Sequence, residues 1–178
     1  VRVVAGRLRG RRLVAPRGTL TRPTSDRVRE ALFAVLGDVT GARVLDLFAG
    51  SGALGIEALS RGAVHATFVD GDPAAVGAVR RNLAALDLEA DAEAHRADAR
   101  AFLRNARGAD HEYDLVFVDP PYRRAAALAG ELSEALPPVL APGARVVAES
   151  DRRAPLELAL PLRDERRYGE TLIRIHAP

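Results

Sequence analysis

Between positions 43 and 149 the chain alternates five short strand-like runs with four helical patterns, and this alternation limits the architecture more than any other feature. The strand-like runs cover 43–48, 65–70, 92–97, 114–119 and 144–149. The helical patterns between them cover about 52–61, 73–87, 99–107 and 124–136. Strands that alternate with helices build an α/β domain whose parallel sheet is covered on both faces. After the fifth run the rhythm breaks. "LRDERRY", then Gly169, then "ETLIRIHA" reads as an antiparallel hairpin on the sheet edge. The Pro-rich "LPPVLAPGA" reads as the loop before the fifth strand, and no internal repeat or linker divides the chain.

The N-terminal end has a different character. Positions 1–5 and 11–15 are short β-like runs punctuated by Gly6 and Gly10, which predicts a hairpin. "RGTLTRPTSD" is loop chemistry. A helix begins near Ser25 or Asp26, either of which caps free N–H groups, and ends at Gly37 or Gly41. Its apolar stripe is Val28, Ala31, Leu32, Val35 and Leu36. The first 25 residues carry seven Arg and no acid, whereas the rest of the chain has 19 Arg against 24 acids. The small net charge of +2 therefore hides a basic arm suited to a polyanion. The expected division is a basic hairpin arm over 1–22 and an α/β domain over 23–178.

Composition excludes several classes. The chain has no cysteine, so it forms neither disulfides nor a thiolate metal site. His65, His95, His111 and His176 lack ligand spacing, so no metal is expected. No apolar run approaches the ~20 residues of a membrane helix, and nothing reads as a secretory signal. The expectation is a cytoplasmic protein without membrane contact, of a size able to act as a monomer.

The chemistry lies where the strands end, because ligands of an open parallel sheet bind outside the carboxyl ends of its strands. The first of these loops is "VLDLFAGSGALG". Gly50, Gly52 and Gly55 fit the dinucleotide spacing G-x-G-x-x-G, and Asp70 follows Gly50 by 20 positions. Asp46 argues against a pyrophosphate, since a carboxylate repels one. It suits the ammonium and sulfonium of S-adenosylmethionine instead. Asp70 then accepts from both ribose hydroxyls, and Asp98 accepts from the adenine amine. Each Asp alone reads as well as a helix cap; the weight comes from carboxylates at successive strand ends. In this reading Phe48, Ala49, Ser51 and Ala99 line the same pocket, and Gly55 serves helix–strand packing.

The fourth strand ends in "VDPPY". Pro120 and Pro121 remove two backbone donors and leave carbonyls, and Asp119 adds a carboxylate acceptor. A site made of acceptors holds an amine, such as the exocyclic amine of a base. Accepting its protons turns the nitrogen lone pair toward an electrophile. Tyr122 offers a face on which a flipped-out base stacks. Asp119 also borders the cofactor.

Asp46–Gly52 together with Asp119–Tyr122 resembles the Rossmann-like, S-adenosylmethionine-dependent amino-methyltransferases. "RPTSDRVREALF", positions 22–33 after a basic hairpin, is similar to the RsmD-type family, which methylates the 2-amino group of a guanine in small-subunit (16S) rRNA. The resemblance runs from about position 3 to the C-terminal hairpin. It implies a class I methyltransferase fold: a seven-stranded, mainly parallel sheet with an antiparallel C-terminal hairpin. It further implies 16S rRNA, within a 30S subunit or assembly intermediate, as partner, and suggests that Thr24 and Asp26 border the cofactor pocket. Arg27 and Arg29 stand at a helix start, where the macrodipole disfavours cations. With Arg7, Arg9, Arg11, Arg12 and Arg22 they are expected to grip RNA phosphates, contacts that position without specifying. Three alternatives share parts of this pattern: an adenine-directed DNA methyltransferase, a dinucleotide-dependent oxidoreductase, and a non-catalytic RNA-binding module.

Overall fold

The computed structural model describes residues 1–16, 24–106, 112–121 and 124–178. Seven strands form one sheet. They are β1 (Arg43–Leu47), β2 (His65–Asp70), β3 (Ala92–Arg96), β4 (Tyr113–Val118), β5 (Leu140–Asp151), β6 (Leu162–Tyr168) and β7 (Thr171–His176). Their spatial order is β3-β2-β1-β4-β5-β7-β6. The first five pair in parallel; β7 runs antiparallel between β5 and β6. The strand order reverses direction between β1 and β4, the crevice where open α/β sheets bind ligands.

Among the described residues five α-helices cover the sheet: α1 (Asp26–Leu36), α2 (Ala53–Ser60), α3 (Pro73–Ala85), α4 (Ala99–Ala106) and α5 (Ala125–Ala135). Two apolar layers result. One unites Leu32 and Phe33 of α1 with Phe68, Leu83, Phe117 and Val147. The other unites Leu45, Leu47, Val116 and Val118 with Leu103, Leu128 and Leu132. Alternate residues of β1 and β4 thus fill opposite layers, which is why these strands are apolar but for Arg43, Asp46 and Asp114.

Three elements differ from the sequence expectation. The N-terminal hairpin has a single antiparallel bridge, Arg2 with Arg12, rather than two five-residue strands. Val3 N–H donates to the Arg11 carbonyl and Leu13 N–H to that of Val1, while two glycines at positive φ turn the chain between them. What holds the arm is α2 rather than its own ladder. The buried Glu57 carboxylate accepts from Val4 N–H (2.7 Å) and Ala5 N–H (3.0 Å). The Ser60 hydroxyl accepts from Leu8 N–H and donates to the Ala5 carbonyl. Val3, Leu8 and Leu13 enter the first apolar layer.

The second difference is the Pro-rich segment, which is not a loop. Pro137–Val139 forms a 3-10 turn, and β5 starts at Leu140, with a register shift opposite Tyr113 and Leu115. The third is the face of α1, whose buried residues are Arg29, Leu32, Phe33 and Leu36. The helix is turned relative to the expected stripe, leaving Val35 38% exposed and placing Arg29 inside. Ser25 is the N-cap, accepting from Val28 N–H.

Candidate active site

The loop after β1 is built by conformations that few residues tolerate. Phe48 has φ 62°, unusual for a side chain of its size, and Gly50 and Gly52 have φ 57° and 77°. Gly52 caps α2 in the left-handed conformation, which exposes the first N–H groups of that helix. A Cβ at Gly50 would meet nothing within 4 Å, so the loop opens onto free space there. At Gly55 the opposite holds. A Cβ would stand 2.4 Å from the Phe68 ring, so α2 approaches β2 only because position 55 lacks a side chain.

Four bonds fasten this loop. Gly50 N–H donates to Asp70 (2.9 Å), and Ala49 N–H to the Val69 carbonyl. Gly52 N–H donates to the Ala49 carbonyl. The Ser51 carbonyl accepts from the Asn82 amide at 2.9 Å. Asp70 also accepts from Asp72 N–H, so each of its oxygens already holds one loop and keeps a lone pair free. Asp98 caps α4, accepting from Arg100 N–H and Ala101 N–H, and pairs with the Arg100 guanidinium, which holds its carboxyl below the usual range. Ala99 is buried behind it.

The carboxylates at the strand ends lie on one side of the sheet. Asp46 pairs in register with Phe117, and Phe117 with Val147. Two residues further, Asp119 and Glu149 fall on that same face. Asp46 is 2% exposed and accepts from Gly55 N–H at 3.0 Å. Burial pushes its carboxyl up to about 8, against the Gly55 bond and with help from the charge of Asp70. Asp119 is pushed well above the ordinary carboxylate value, first by burial and then by the charges of Glu149 and Asp46. Glu149 is raised by burial while the Thr24 hydroxyl, 2.7 Å away, opposes the shift. Three carboxyls that burial and mutual repulsion hold back from ionisation suit a cation or amine donors as partner. A pyrophosphate would raise them further. The open Gly50, the left-handed Gly52 and this acidic lining fit S-adenosylmethionine.

Pro120 is buried and Pro121 exposed directly after Asp119. Tyr122 and Arg22 lie outside the described residues. Glu149 escaped the sequence reading, because at the end of an apolar run it looks like a strand terminus. Only its pairing beside Asp119 gives it a place. Thr24 reaches the site through Glu149, whereas Asp26 points elsewhere, accepting from Arg2 and Arg29.

The arginines divide into three groups. Arg9, Arg12 and Arg27 are exposed. Arg7 and Arg11 are also exposed but touch Asp91 (3.5 Å) and the Ala85 carbonyl (2.6 Å). Arg29 does not fit the expected grip on RNA. It is 0% exposed, donates to Asp26 (2.7 Å) and the Arg2 carbonyl (2.5 Å), and burial lowers its pKa. Its charge offsets Asp26 inside the protein, where no phosphate reaches it. A cleft of about 290 Å³ between the arm and α1 has Arg2, Arg9, Asp26 and Glu30 on its walls; it is remote in kind from the acidic strand ends. Among the described residues no cluster of side chains has the make-up of a metal site, and no helix is long and apolar enough to cross a membrane.

Comparison with known proteins identifies the family and supports the fold. The model of a family described as conserved hypothetical protein 95 matches residues 1–177. "Ribosomal RNA small subunit methyltransferase D" of Escherichia coli K12 is 46% identical over 125 residues, which is 70% of this chain and 61% of that protein. A Bacillus subtilis protein, YlbH, described as a candidate rRNA methyltransferase, is 48% identical over 124 residues, 69% of this chain and 67% of its own. These matches thus span about two thirds or less of the relatives' lengths. A solved Escherichia coli structure, described as the candidate methyltransferase yhhF, is 38% identical. It superimposes with a TM-score of 0.84 over 99% of this chain and 97% of its own. The chain belongs to the conserved hypothetical protein 95 family, that of the RsmD-type methyltransferases.

Proposed function

We propose that the chain methylates the exocyclic 2-amino group of a guanine in small-subunit (16S) rRNA, with the base flipped out of its stack into the Asp119–Tyr122 site. The observation that carries the reading is the acceptor-only end of β4, a half-buried carboxyl followed by two residues without N–H groups. Asp119 and the Pro120 carbonyl accept the two amine protons and aim the nitrogen lone pair. Tyr122 stacks the base. Asp46 faces the cationic end of the cofactor, Asp70 its ribose and Asp98 its adenine, while Phe48, Ala49, Gly50, Ser51, Gly52 and Ala99 shape the pocket. S-adenosylmethionine supplies the electrophilic methyl group when bound. Position and orientation then provide most of the rate enhancement. No base with a raised pKa has to act first, because the amine proton leaves after transfer. The names of the relatives support rRNA as substrate, and the exposed Arg9, Arg12 and Arg27 supply contacts for its phosphates. In this reading the partner is a 30S subunit or assembly intermediate, approached by a monomer.

The test is incubation of the protein with labelled cofactor and undermethylated 30S subunits, free 16S rRNA, or duplex DNA, followed by mass-spectrometric mapping. The expected product is N2-methylguanine in rRNA. Label absent from rRNA, present on another nitrogen, or confined to DNA adenine overturns the assignment.

A further inference from the structure

Asn82 sits on α3 and is 2% exposed, yet it has no part in the chemistry described above. Its amide makes three hydrogen bonds. Oδ1 accepts from Val14 N–H at 2.7 Å, and Nδ2 donates to the Val14 carbonyl and to the Ser51 carbonyl, both at 2.9 Å. The first two bonds copy the pairing of a β-ladder and hold the end of the basic arm. The third holds the middle of the cofactor loop, between Gly50 and Gly52. Both protons of one amide are thereby committed, one to each segment.

We infer that Asn82 is a positioning residue that joins the RNA-binding arm to the cofactor loop, so that seating the arm orders the loop. The inference rests on the proposed rRNA reading for what the arm binds. Ser51 lies between two glycines at positive φ, a stretch with little stiffness of its own. Its carbonyl needs a donor to stay in one orientation. The donor is an amide whose plane is fixed by the arm: if Val14 leaves, the Asn82 side chain loses two of its three bonds and its single orientation. A loop ordered only part of the time binds the cofactor more weakly by that fraction. Whatever holds the arm down then tightens cofactor binding, and the effect is reciprocal.

The experiment is a calorimetric titration of S-adenosylhomocysteine into the full chain, alone and with a saturating small-subunit rRNA fragment. For the wild type, rRNA is expected to tighten binding by about fivefold, the low end of ordinary coupling. Asn82→Ala is expected to weaken S-adenosylhomocysteine by about 3- to 10-fold, the worth of one neutral hydrogen bond, and to erase the rRNA effect. Asn82→Asp still accepts from Val14 N–H but has no amide proton for Ser51, and is expected to show the same weakening. A purely structural Asn82 gives a lower melting temperature with unchanged affinity and coupling in both variants, and that result overturns the inference. A wild type that binds S-adenosylhomocysteine but no rRNA overturns the rRNA reading instead. The titrations of the variants without rRNA then still decide whether Asn82 holds the loop.

Discussion

Replacing Gly55 by Ala separates two opposing physical effects with a predicted sign. Gly55 lies inside α2, so helix propensity alone makes the substitution stabilising by about 0.5–1 kcal/mol. Packing makes it destabilising. The new Cβ would stand 2.4 Å and 2.7 Å from two atoms of the Phe68 ring and 3.2 Å from Asp46 Oδ2. Phe68 is 1% exposed and cannot swing aside, so α2 must lift from β2. Overpacking of this kind costs about 1–3 kcal/mol. The net expectation is a loss of about 1–2 kcal/mol, or about 2–8 °C in melting temperature for a chain of this length. Gly130 is the control. It sits inside α5, and a Cβ there would meet nothing within 4 Å. Gly130→Ala should therefore gain about 0.5–1 kcal/mol. Urea unfolding of the two variants beside the wild type reads both effects. If Gly55→Ala is as stable as the wild type or more so, the close approach of α2 and β2 does not hold, and the placement of Asp46 against Gly55 N–H goes with it.

Other expectations follow from the same contacts. Asp119→Ala should abolish methyl transfer while S-adenosylhomocysteine binding stays measurable by calorimetry; retained turnover would remove Asp119 from the mechanism. Asp46 has a folded pKa of about 8, raised above its unfolded value, so its contribution to stability is complete at acid pH and is lost as pH rises through about 8. Asp46→Asn should therefore flatten the fall in unfolding free energy between pH 5 and 8.5, although Asp119 and Glu149, shifted the same way, retain part of the slope. Glu57→Ala removes the acceptor of two arm N–H groups and should cost about 3 kcal/mol, with faster proteolysis before position 14 as the readout. Arg9→Ala, Arg12→Ala and Arg27→Ala should each reduce the slope of log affinity against log salt for rRNA by about 0.7–0.9, whereas Arg29→Ala should act on stability.

The parallel sheet and its reversed edge were legible because their signals are local. Apolar runs of five or six residues, bounded by glycine or acid, alternate with helical spacing, and "YGET" marks the final turn. The glycine-rich turn after β1 and the acceptor-only end of β4 stood out for the same reason, since each stretch is contiguous. What sequence did not disclose depends on pairs distant along the chain. Arg29 reads as a surface charge until Asp26 and the Arg2 carbonyl close around it. Glu149 acquires meaning only from β4 beside it, and Asn82 only from Val14 and Ser51, 68 and 31 positions away. The Pro-Pro pair before β5 reads as part of a loop but forms a tight turn that leads straight into a strand, because β5 has β4 to pair with from Leu140 onward.

The position of β7 inside the sheet sets an order on assembly. β6 is synthesised before β7 yet lies outside it, with no other strand for a neighbour. Until Thr171–His176 has emerged from the ribosome, β5 presents an open edge carrying Val146, Val147 and Ala148, and β6 has nothing to join. β7 must therefore pair with β5 before β6, or together with it, since β6 has β7 alone to join. The nascent chain therefore carries an adhesive edge from the synthesis of β5 until that of β7, the kind of surface on which association with other chains begins. A substitution that slows the turn at Gly169 would prolong that exposure, and its cost would appear in the yield of folded protein even where the finished fold is as stable as before.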